Sequence, residues 1–152
     1  MYDTLIKHEQ LAIEFVEELA RLTEEDWRRP IAEGKWSIAE IIGHFDFWDT
    51  FLLTERLPHF FKQQHFQPAP TPETINVHTA TFARNEPQQS IINRFTHNRQ
   101  QIVDKMKALS KEQWEERLHI GDISVTVFEY FVSQMTHDMQ HFEQIEQAMK
   151  VN

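Results

Sequence analysis

The stretch Leu22-Thr-Glu-Glu-Asp-Trp27 is matched in pattern by Leu109-Ser-Lys-Glu-Gln-Trp114, and this match limits the possible folds most. In the same register Gly34 falls on Gly121 and Ser37 on Ser124. Each half reads as a long helix, a capped turn carrying a tryptophan, a glycine and a second long helix. Two such halves predict an all-α four-helix bundle with pseudo-twofold character.

Apolar periodicity supports the same reading independently. From Thr4 to Leu22 a stripe of Leu5, His8, Ala12, Phe15, Leu19 and Leu22 faces inward, with Glu14, Glu17 and Glu18 toward water. Ser37, followed by Glu40, is a capping box that opens the second helix. Ile38, Ile41, Ile42, Phe45, Trp48 and Leu52 share its broad inner face as far as Leu57, and Pro58 stops it. The third helix spans Gln88 to Leu109, and the fourth runs from Ser124 to about Met149. Between the second and third helices, residues 58–87 hold five of the six prolines and form a long crossover. A short helix over Thr74 to Arg84 is expected there, within a segment that is a crossover, a lid or partly mobile.

A length of 152 residues suits one domain, 1–152, with room for a sizeable core. A net charge of −9 argues against a phosphate-binding surface, so nucleic acid is not an expected partner. No apolar run approaches the ~20 residues needed to span a bilayer, and Met1-Tyr-Asp-Thr4 does not open a signal peptide. Cysteine is absent, which excludes disulfides, thiolate ligands and a cysteine nucleophile, and fits a cytoplasmic protein.

The chemistry concentrates in the fourth helix, at His137-Asp-Met-Gln-His141. Residues four apart lie one turn apart on one side of a helix, so both imidazoles can reach one metal ion. The alternative is a chance pair, since nine histidines are present. His44 lies between Ile41 and Trp48 on an apolar face, where its ring nitrogens need partners: a carbonyl, a carboxylate or a metal. If the second and fourth helices lie side by side, His44, His137 and His141 can meet, leaving an open position on a bound ion. His8 reads as a packed or rim histidine and His97 as solvated, while His59, His65 and His78 have no partner at ligand spacing.

Trp36-Ser-Ile-Ala-Glu-Ile-Ile-Gly-His44 and His137-Asp-Met-Gln-His141-Phe-Glu-Gln-Ile145, with the helix order and the crossover, resemble the DinB superfamily (DinB/YfiT-like metal-binding four-helix bundles). The resemblance implies that His44, His137 and His141 hold one divalent metal ion, nickel or zinc. It implies a metal-dependent enzyme of the thiol-dependent transferase or hydrolase type, with a low-molecular-weight thiol as a cosubstrate. A homodimer is implied as well. No catalytic base carries over.

Asp46, Asp49, Tyr130 and Asp138 lie close to the histidines in sequence and could orient an imidazole or move a proton, though solvated helix-surface roles are expected for each. The competing reading is a non-catalytic helical bundle that binds a metal or small ligand. A zinc peptidase would need Glu where Asp138 stands, and a di-iron bundle would need repeated Glu-x-x-His pairs, which do not occur.

Overall fold

The computed structural model describes residues 1–63 and 65–151. Four long helices dominate: α1 (Tyr2–Glu18), α3 (Ile38–Phe51), α5 (Gln88–Lys107) and α7 (Val127–Val151). Short helices α2 (Glu24–Arg28) and α6 (Lys111–Trp114) form the two matching turns. Each opens on a hydroxyl cap: Thr23 accepts from the Asp26 amide and Ser110 from the Gln113 amide. The tryptophan that ends each match is then buried in a different apolar cluster. Trp27 packs with Val16, Phe45, Phe95 and Ile145, whereas Trp114 packs with Phe60, Leu118 and Phe131. Full burial of a side chain of this size contributes roughly 1.5–3 kcal/mol.

The chain is mostly helical, as expected, and carries in addition a small three-stranded sheet in the order β1-β2-β3 that the periodicity does not mark. Strand β1 (His65–Phe66) pairs in parallel with β2 (Arg117–Ile120), which pairs antiparallel with β3 (Ile123–Thr126). Gly121 turns the hairpin at φ 57, a conformation that a side chain disfavours; its counterpart Gly34 has φ 71. Ser124 therefore does not open the last helix, because it lies in β3 opposite His119. Thr126 does so instead: its Oγ1 accepts from the Glu129 amide at 3.0 Å, and its own hydroxyl and amide donate to Glu129 Oε1. Ser37 and Thr126 thus cap α3 and α7, and Asp49 and Asp138 lie equally far along the chain beyond those caps.

The crossover holds a helix longer than expected, α4 (Pro72–Asn85), laid against α3. Gly43 makes that approach possible, since a Cβ there would stand 2.7 Å from the Ala83 Cβ. Arg28 then ties down the end of α4 by donating to the carbonyls of Ala83 at 3.0 Å and Glu86 at 2.6 Å. After Phe51 the second long helix widens into a π-helical turn (Leu52–Arg56) and closes in a 3-10 turn (Leu57–His59). Among the described residues no helix is long and apolar enough to cross a membrane.

Candidate metal centre

Helix α3 delivers His44 from its buried face, one turn beyond the Ser37–Glu40 capping box, and the residue is only 3% exposed. Helix α7 delivers His137 and His141 from one half-buried flank. The three rings converge, with centroids 5.4 Å apart for His44 and His137, 4.6 Å for His44 and His141, and 4.7 Å for His137 and His141. One ring nitrogen from each lies within 4.8 Å of the other two. Phe45 forms the floor, 4.5 Å from the His44 ring and 5.6 and 5.7 Å from those of His137 and His141.

The donor set suits a divalent ion. Nδ1 of His44 donates to the Ile41 carbonyl, leaving Nε2 with a free lone pair. Nδ1 of His141 is 3.0 Å from Gln144 Oε1, an acceptor, so its Nε2 is left bare in the same way. Burial pushes the His44 pKa down to about 3, reinforced by the neighbouring His141 and His137. Burial also lowers His137, followed by its neighbour His141, and burial lowers His141 itself. All three imidazoles are thus held neutral near pH 7, the form that ligates.

A cavity of about 360 Å³ adjoins the trio. Trp36 and Trp48 wall it, and Asn76 of α4 with Ser133 and Gln134 of α7 supply neutral polar groups. The candidate orienting groups lie elsewhere. Asp46 accepts from Arg94 Nε at 3.1 Å and Nη2 at 2.9 Å, and Tyr130 packs edge-on against Phe60 with centroids 5.3 Å apart. His97 and His78 are exposed, His59 is half-buried, and His65 stacks on His119 across the β1–β2 pair at 5.0 Å.

Asp49 and Asp138 correct the sequence reading most sharply, since both are buried. They close on Arg99, itself 2% exposed, with Glu9 as a third carboxylate. Arg99 donates to Asp138 through Nη1 at 2.6 Å and Nη2 at 2.9 Å, to Asp49 through Nε at 2.8 Å and to Glu9 through Nη1 at 3.0 Å. His8 Nε2 donates to Asp138 Oδ2 at 2.8 Å. Each long helix therefore gives at least one ionisable residue to a single knot. One guanidinium cannot neutralise three buried carboxylates equally. Burial raises Asp138, but Arg99 and His8 outweigh it and hold the acid at about 2. Burial wins at Asp49, raised to about 7, and at Glu9, also raised. His8, Glu9 and Asp138 lie close enough to hold a cation, but the Arg99 guanidinium already fills that place.

Comparison with solved structures shows the same fold in proteins of low identity. YfiT from Bacillus subtilis, described as a probable metal-dependent hydrolase with an unusual four-helix bundle topology, aligns at TM-score 0.82 and 11% identity. The alignment covers 98% of this chain and 86% of YfiT. A mycothiol-dependent maleylpyruvate isomerase aligns at TM-score 0.72 and 12% identity, over 95% of this chain and 60% of the isomerase. No match was found among curated proteins. The model of the DinB superfamily matches residues 7–145, and the chain belongs to that superfamily.

Proposed function

We propose that this chain is a metal-dependent enzyme in which His44, His137 and His141 hold one divalent ion, nickel or zinc, beside a small substrate cavity. The observation that carries the reading is the approach of three neutral ring nitrogens within 4.8 Å of one another at the edge of that cavity. A divalent ion bound there would supply Lewis acidity and lower the pKa of a coordinating thiol or water. Carbonyl and amide acceptors at Nδ1 of His44 and His141 orient both rings and fix which nitrogen is free. Phe45, Trp36 and Trp48 exclude water from one side of the trio.

Among the described residues no carboxylate lines the cavity, so activation of a thiol or water there would fall to the ion itself. The proposed reaction is of the thiol-dependent transferase type, with a low-molecular-weight thiol as cosubstrate, or of the hydrolase type. The lack of a lining carboxylate favours, as a second reading, a bundle that binds a metal or small ligand without turnover. A cytoplasmic homodimer is part of the proposal. Metal quantification on untagged protein, followed by assay of the loaded form with thiol conjugates and with hydrolysable esters and amides, tests it. Stoichiometric metal with turnover is expected; metal without turnover supports the binding module, and protein that takes up no metal contradicts both.

A further inference from the structure

The cavity beside the histidines carries a polarity that limits what can enter it. Two half-buried indoles, Trp36 and Trp48, offer apolar faces, and Asn76, Ser133 and Gln134 offer amide and hydroxyl groups. Among the described residues no intramolecular hydrogen bond engages those three side chains, and no Asp, Glu, Lys or Arg lines the cavity. Lys35 lies in an adjoining hollow of about 310 Å³, which shares Trp36, Asn76 and His141 with the first. A carboxylate carried into the main cavity away from the ion would lose its water and find only neutral dipoles. An ammonium group would gain from an indole face but meet the charge of the ion itself. A neutral planar group keeps both the aromatic contact and the hydrogen bonds.

We propose that the cavity selects an uncharged, planar substrate group bearing hydrogen-bonding functions, and discriminates against carboxylate- and ammonium-bearing analogues of the same shape. The proposal rests on the three-histidine reading above and adds the substrate class. A volume of about 360 Å³ suits a single substituted ring.

The test uses three benzohydroxamic acids that share one metal-seeking group and differ only at the para position: carbamoyl, carboxylate or aminomethyl. Each is titrated into zinc-loaded protein by calorimetry, with the zinc content measured on the same sample. The carbamoyl compound should bind at least about tenfold more tightly than either charged one. Gln134→Lys, which places a cation on the wall while keeping all three histidines, should move the preference about tenfold toward the carboxylate. Equal or tighter binding of a charged compound by zinc-loaded wild-type protein overturns the proposal alone. So does failure of all three compounds to bind protein that holds zinc. Protein that holds neither zinc nor nickel overturns the three-histidine reading, and this proposal with it.

Discussion

Arg99 grips Asp138 through two parallel hydrogen bonds, Nη1 to Oδ2 at 2.6 Å and Nη2 to Oδ1 at 2.9 Å. Asp138 directly follows His137, so this fork fixes the rotation of α7 about its axis and with it the direction of His137 and His141. Asp49 on α3 binds the same guanidinium, one turn beyond Phe45 at the floor of the site. The two helices that supply the histidines are thereby referenced to one buried residue on α5.

Arg99→Met should therefore be among the most damaging single changes. It leaves three buried carboxylates without their cation, a loss of roughly 3–5 kcal/mol for a broken buried network. Urea unfolding followed by circular dichroism measures it. Arg99→Lys keeps the charge but not the fork, and should fall between wild type and Arg99→Met. Wild-type stability in Arg99→Met would contradict the role given to the knot.

The two aspartates should not be equivalent. Asp138 is held at about 2 and is charged at neutral pH, whereas burial raises Asp49 to about 7. Asp138→Asn should cost about 2–3 kcal/mol and Asp49→Asn less, because burial favours the neutral form at Asp49 whereas Arg99 and His8 hold Asp138 charged. Unfolding of both variants in the same buffer decides this, and equal losses would refute the division of charge.

Acid should weaken the metal-free protein through His44. Its folded pKa of about 3 lies below the ordinary histidine value of 6.5, so below 6.5 the unfolded chain takes up a proton that the folded chain refuses. The stabilisation is present above 6.5 and is lost as pH falls toward 3. Stability curves of wild type and His44→Gln between pH 7.5 and 4.5 should converge on acidification. Zinc affinity should stay nearly flat from pH 7.5 to 6.5, since all three imidazoles are depressed, and fall on the acid side. Curves that diverge below pH 6.5 would contradict the burial of a neutral His44.

Gly43 is the point where the crossover helix meets the bundle. Gly43→Ala places a methyl group 2.7 Å from the Ala83 Cβ, an overlap that should cost roughly 1–3 kcal/mol and shift α4. Adding Ala83→Gly should recover most of that loss. A double variant no more stable than Gly43→Ala would show that the damage lies elsewhere.

Much of this was legible in the sequence because helices advertise their faces. Phe131, Phe142 and Ile145 recur at helical spacing along one side of the last helix, and all are buried. His44 could be singled out as a polar ring on an apolar face; its convergence with His137 and His141 depends on helix packing that no periodicity encodes. The hairpin was hidden because residues 117–126 lead straight into a helix and Ser124 imitates a cap. Thr126 followed by Glu129 was the overlooked signal. The knot was missed because charge was read as exposure. Glu9 follows Leu5, Asp49 follows Phe45 and Arg99 follows Phe95, each by one turn on a buried stripe, and those registers mark them as inward.

The most direct measurement is zinc stoichiometry and affinity of untagged wild-type protein beside His44→Ala, with His97→Ala as control. His44 belongs to α3 and can join the α7 pair only through the tertiary fold, so it tests the shared site where the pair alone cannot. Near-stoichiometric zinc is expected in the wild type and in His97→Ala, with affinity reduced about tenfold or more in His44→Ala, the scale of a lost metal contact. A His44→Ala protein that holds stoichiometric zinc at unchanged affinity would contradict the three-histidine centre.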